Sequence, residues 1–113
     1  MHELSITQSI VNIAVETAAE HKVKKVHEIR IRIGEYSGIV PQCVQQYFDI
    51  LSKGTAAEGA VLKMERIPIT MRCEECGAEN EIDKLNIRCP ACGSTKLKLL
   101  TGHEFYVESL EVD

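Results

Sequence analysis

The chain has 113 residues, 44% of them hydrophobic and 27% charged, with a formal net charge of −4. That is enough for one domain, or for one small domain plus a metal-stapled lobe, with the composition of an ordinary soluble protein. The negative balance argues against nucleic acid, which is bound through clustered Lys and Arg, and no apolar run approaches the ~20 residues that span a bilayer.

A helical pattern starts at the first residues, Met1-His2-Glu3-Leu4-Ser5. Ile6, Ile10, Ile13, Ala14 and Thr17 recur at three- and four-residue spacing and predict one apolar face. Ser5 with Gln8 fits a capping box, with Glu3 as an alternative start. Glu16 and Glu20 are expected to face water, and Lys22, Lys24 and Lys25 follow the helix end, where the dipole favours positive charge. Val26–Gly34 then alternates Ile29, Ile31 and Ile33 with Arg30 and Arg32, the period-two pattern of a half-buried strand. Pro41 suits the first position of a second helix. Its stripe is Val44, Phe48 and Leu51, with Tyr47 alongside and Gly54 as the stop. A second strand is expected over Ala60–Ile67, ended by Pro68. A last strand spans Glu104–Val112, where Phe105 and Val107 share one phase and Leu110 and Val112 the other. A bulge near Glu108-Ser109 would return all four to one face.

Before that last strand lie Cys73-Glu-Glu-Cys76, twelve residues, and Cys89-Pro-Ala-Cys92. Two Cys-x-x-Cys pairs at this spacing are the form of a tetrathiolate site, for zinc first and rubredoxin-like iron second. Gly77 and Gly93 each follow a pair, where a knuckle turn needs positive φ. A redox pair would stand alone on a βαβ turn. A disulfide framework needs an oxidising compartment, and nothing at the N-terminus reads as a signal peptide, so a cytoplasmic location is expected. Four thiolates close the shell, which makes the zinc structural rather than catalytic. From Cys73 to Cys92 the segment carries Glu74, Glu75, Glu79, Glu81 and Asp83 against Lys84 and Arg88, the reverse of a DNA-binding ribbon. Its apolar content is mainly Ile82, Leu85, Ile87 and Leu97. A lobe so poor in apolar side chains requires its metal to order.

The predicted fold class is α+β: two helices packed on a three-stranded sheet, with an inserted tetra-Cys zinc-ribbon lobe. The expected division is 1–69 plus 99–113 as one domain and 70–98 as the zinc-binding lobe.

The first residues offer a second metal chemistry. An N-terminal amine, the amide nitrogens after it and an imidazole at position 2 form fused chelate rings around one ion. Such planar nitrogen sets suit Ni(II) and Cu(II) rather than zinc. Amides at a helix start have no intrahelical acceptor and remain available as donors. Glu3 offers its backbone nitrogen, a carboxylate that orients His2, or a charge that favours the helix N-terminus. The plain alternative for His2 is a loose terminal residue, and the residues alone leave both readings open.

Met1-His2-Glu3 at a helix start, Ile33-Gly34-Glu35 ending a strand, the Glu58-Gly59 loop and a late tetra-Cys lobe occur together here. In this the chain resembles, over essentially its whole length, the HypA family of nickel metallochaperones. The resemblance implies that Met1, His2 and Glu3 bind nickel, chiefly through His2, and that Cys73, Cys76, Cys89 and Cys92 hold zinc. It also implies delivery of nickel, with a hydrogenase-maturation GTPase, to the NiFe-hydrogenase large subunit, and in some organisms work with urease maturation factors. A monomer or weak homodimer is expected. Gly77 and Gly93 stand where some members carry His, so histidine participation at the zinc site is not expected here.

Other candidates carry less. His21 and His27 are expected to face solvent, His103 lies near the lobe junction, and Cys43 reads as a partly buried free thiol. No nucleophile–base motif, phosphate loop or His–carboxylate cluster points to an enzyme. The competing non-enzyme reading is a zinc-ribbon interaction module without transferable metal, which stoichiometric Ni(II) binding separates from a carrier.

Overall fold

Helix α1 (Glu3–Glu20) is the first element of the computed structural model, which describes residues 3–113. It is followed by β1 (Val26–Gly34), α2 (Pro41–Leu51), β2 (Val61–Ile67), β3 (Thr70–Cys73), β4 (Glu79–Glu81), β5 (Leu97–Thr101) and β6 (Phe105–Val112). The fold is α+β, two helices on a sheet of order β2-β1-β6, with a second sheet of order β4-β3-β5 in the cysteine-bearing part. Two compact units divide the chain. One holds the chain up to Ile31, Ile39–Glu65 and Tyr106–Asp113; the other holds Arg32–Gly38 and Arg66–Phe105.

In the first unit α1 packs against α2. The buried stripe of α1 is Thr7, Ile10, Val11, Ala14 and Ala18, with Glu3 also buried. This is rotated from the face expected on periodicity: Ile13 is 42% exposed, and Ile6 and Thr17 are half-buried. The rotation is possible because the two polar residues it buries have partners. Thr7 Oγ1 donates to the Glu3 carbonyl, and the Glu3 carboxylate accepts the Val40 N–H at 3.2 Å. Ser5 lies inside the helix and is not its cap; its carbonyl accepts the Ser9 hydroxyl. At the other end the Val23 N–H bonds the Ala18 carbonyl and the Lys22 N–H bonds Ala19, with Lys22 left-handed at φ 55°. That is a Schellman closure made without glycine.

Val26, Ile29 and Ile31 of β1, Val44 and Phe48 of α2, and Leu62 of β2 complete the core of this unit. Each such side chain contributes roughly 1.5–3 kcal/mol by leaving water, far more than strand or helix propensity. Pro41 opens α2 as expected, after Val40 as N-cap. Along β6 the half-buried positions are Phe105, Val107, Leu110 and Val112, with Glu108 and Ser109 both exposed between them. The phase therefore shifts where the sequence pattern required it.

The second unit is more regular than its sequence indicates. β3 pairs antiparallel with β4, Thr70 opposite Glu81 and Arg72 opposite Glu79, and with β5, Cys73 opposite Leu97. Strands this short give no period to read. Ile69, Met71 and Ile82 form its core with Leu97 and Leu99 against them, while Leu85 and Ile87 are exposed. The Arg32–Gly38 segment belongs here by backbone bonds: Gly34 N–H to Glu104 O, Glu35 N–H to Ile67 O and Tyr36 N–H to Gly102 O.

Gly34 is needed there for closeness rather than for backbone angle. A Cβ on Gly34 would stand 2.3 Å from the Gly102 carbonyl oxygen, which is backbone and cannot swing away. Gly34→Ala is expected to destabilise by about 3 kcal/mol, the upper end of overpacking costs. Gly38 has φ +77° but open space around it, so Gly38→Ala should cost only about 1 kcal/mol. Urea unfolding of the two variants checks the order, and equal losses would remove the close approach as the cause.

Candidate metal centres

The four cysteines come together through two matching turns. In the first, the Gly77 N–H donates to Cys73 O at 2.9 Å and the Cys73 N–H to Ala78 O at 2.8 Å. In the second, the Gly93 N–H donates to Cys89 O at 2.8 Å and the Cys89 N–H to Ser94 O at 2.9 Å. Gly77 and Gly93 both adopt φ +77°, the positive angle the turn demands. β3 delivers Cys73 and the turn delivers Cys76; the second turn supplies Cys89 and Cys92.

All four sulfurs lie within 4.8 Å of one another, with Cys73 to Cys92 and Cys76 to Cys89 each at 3.6 Å. Those separations are far beyond the ~2.05 Å of a disulfide. They are near the ~3.8 Å edge of a tetrahedron built on a ~2.3 Å zinc–sulfur bond. The residues therefore fit a tetrathiolate metal. Cys73 and Cys89 are buried, whereas Cys76 and Cys92 are exposed.

Electrostatics make the same case. The Cys76 N–H donates to Cys73 Sγ at 3.4 Å, and chiefly for that reason the Cys73 thiol is lowered to about 6. Cys89 is lowered first by the Cys92 N–H. Cys92 is pulled down by the Ser94 N–H, but burial and the neighbouring thiols outweigh that and push it up to about 12, and Cys76 is also raised. Sulfurs this close cannot all ionise alone; a dication is what would let them.

The nickel candidates Met1 and His2 lie outside the described residues. Glu3 is described, 7% exposed, and its carboxylate is engaged with the Val40 N–H. Val40 is the N-cap of α2 and has no side-chain cap of its own. Sequence reasoning missed this tie. The readable signal was Cys43 at the third helical position, where a Glu or Gln would reach back to the N-cap N–H; without one the Val40 donor needs a partner elsewhere. His21, His27 and His103 are exposed and apart from the cysteine cluster, with His27 against Asp113, and Cys43 is half-buried.

A family model described as hydrogenase/urease nickel incorporation, metallochaperone, HypA matches residues 1–112. The chain belongs to the HypA family. A Caldanaerobacter subterraneus protein named hydrogenase maturation factor HypA is 43% identical, over all of both chains. One of the same name from Nostoc is 46% identical, covering all of this chain and 96% of that protein. The solution structure of the Helicobacter pylori nickel metallochaperone HypA superposes with a TM-score of 0.68 at 23% identity, covering 99% of this chain and 97% of that one. A second HypA solution structure gives 0.74, also at 23% identity, covering 99% and 96%. At that identity the two structures speak for the HypA fold alone. Among the described residues no helix is long and apolar enough to cross a membrane.

Proposed function

We propose that the chain is a cytoplasmic nickel carrier. It takes Ni(II) at Met1, His2 and Glu3 and delivers it, with a maturation GTPase, to the NiFe-hydrogenase large subunit. Urease maturation factors are further partners where urease is present. The observation that carries this is the extent of the family match, which runs from residue 1 through both Cys pairs and so includes every proposed ligand. Cys73, Cys76, Cys89 and Cys92 hold zinc, a closed site that shapes the 70–98 lobe and leaves no position for substrate. The 1–69 and 99–113 segments form the nickel-binding domain. A single Ni(II) bound by tag-free, zinc-loaded protein is the expected result. A chain that binds no nickel would instead be an interaction module.

The GTPase is assigned to the outer face of α1, where Gln8, Asn12, Glu16 and Ala19 are all exposed. Glu16→Lys should weaken GTPase binding several-fold, as rim charges do, mainly by slowing association. Nickel affinity should be unchanged. If surface-binding kinetics with the purified GTPase are identical for the variant, the docking face lies elsewhere.

A further inference from the structure

An open sheet leaves two edges, and in the β2-β1-β6 sheet these are β2 and β6. β2 is bordered by β1 alone, so the backbone groups on its other side meet no further strand. It is seven residues long and contains neither proline nor glycine. Proteins ordinarily blunt such an edge with charge, and Lys63, Glu65 and Arg66 are exposed here. The two edges are charged differently. β6 carries Glu108 and Glu111 with no Lys or Arg, so copies meeting there bring carboxylates together. β2 carries both signs, and their spacing decides what a second copy meets.

A strand paired antiparallel with its own copy is related to it by a two-fold axis, and residues directly opposite share a face of the sheet. An axis at Met64 sets Lys63 of each copy opposite Glu65 of the other, and Val61 opposite Ile67. Moving the axis to Lys63 opposes lysine to lysine, and moving it to Glu65 opposes glutamate to glutamate. Charge therefore selects one of these three registers. Lys63 and Glu65 are both exposed, and Val61 on the same face is 53% exposed. Other charges nearby are engaged within the chain, Arg30 with Glu28 at 2.9 Å and Arg66 with Glu35 at 2.7 Å. Arg30 also feels the Glu65 charge, and a carboxylate has acceptor sites for two cations.

We propose that β2 is a self-association edge. Two copies of this chain pair their β2 strands antiparallel about Met64 and join their three-stranded sheets into one. The occupant is a second copy because the charge pattern of β2 complements itself in that register. One cross-strand ion pair is weak, and the symmetry supplies it twice. Edge pairing over one short strand is a contact at the small end of specific interfaces, so the dimer is reversible and depends on concentration.

Sedimentation equilibrium of the full zinc-loaded chain, over a range of concentrations at low and high salt, tests this. Wild type should self-associate, and less strongly at high salt. Lys63→Glu and Glu65→Lys should each weaken association about tenfold or more, because symmetry turns two attractions into two repulsions. Zinc content and far-UV circular dichroism should match wild type in both, since both side chains are exposed. The double variant Lys63→Glu/Glu65→Lys restores opposite signs across the axis and should return association to near the wild-type level. The two single variants, mixed, should bind each other more tightly than either binds itself. A wild-type chain that stays monomeric would overturn the proposal. So would a dimer indifferent to both single variants, or one that the double variant fails to restore, since either result takes the contact away from β2.

Discussion

One residue fused ahead of Met1 is expected to weaken Ni(II) binding roughly 100-fold or more, as much as His2→Ala. Losing even a group that only orients a metal ligand costs about 10–100-fold, so losing a donor should reach that upper end. The extension removes no side chain. It converts the α-amine into an amide and breaks the first chelate ring, whereas a C-terminal extension without histidine should be harmless. Affinity should also fall steeply with acidification, because amine and amides must lose protons to coordinate. An ordinary α-amine titrates near ~7.7–8.0, so protons already compete at neutrality and compete more at each lower pH. Glu3→Gln should be milder than His2→Ala, within about tenfold, because the amide oxygen can still accept the Val40 N–H. Titration of tag-free and extended proteins, followed by the absorption of planar Ni(II), decides it. Equal affinity and equal spectra would remove the amine from the ligand set and send the search to His103 and the cysteines.

The second large effect is expected at the other metal. Chelating zinc, or Cys73→Ala, should release one zinc and collapse the amide dispersion of the β4-β3-β5 sheet while the β2-β1-β6 sheet persists. The lobe's own core is only Ile69, Met71 and Ile82 with Leu97 and Leu99 beside them. A structural zinc supplies an apparent ~10–16 kcal/mol, which that cluster cannot replace. Substitution should also be graded by position. Cys73→Ser places a hydroxyl at a site 1% exposed, adding about 1–3 kcal/mol of unmet polar burial. Cys76→Ser, at an exposed site, should cost metal affinity with little of that extra term. Zinc content together with backbone NMR spectra checks both. An ordered, zinc-loaded Cys73→Ala protein would overturn the account.

Much of this was legible in the residues because the signals were periodic or chemical. Ile29, Ile31 and Ile33 fixed β1, Pro41 fixed the start of α2, and the paired Cys spacing fixed which sulfurs meet. The buried face of α1 was misplaced because periodicity ranks Ile13 above Thr7. The fold ranks them the other way, since Thr7 and Glu3 find hydrogen-bond partners inside. β3, β4 and β5 were missed because strands of three to five residues are held by pairing partners distant in sequence. Leu85 and Ile87 were counted in the lobe's apolar content, and hydrophobicity alone does not tell that both stay exposed while Ile82 is buried.

Within each cysteine pair the first residue is buried and the second exposed, Cys73 with Cys76 and Cys89 with Cys92. The wet edge of the cluster is therefore where a competing chelator, a peroxide or a foreign thiol makes its first encounter. Loss of a metal ion held here would begin at Cys76 and Cys92. Cys73 and Cys89, buried and held by the Gly77 and Gly93 turns, would keep a half-detached ion in place for recapture. Exchange of a zinc ion held by these four cysteines would consequently be stepwise and slow, set by how long both outer bonds stay open together rather than by the strength of any one of them.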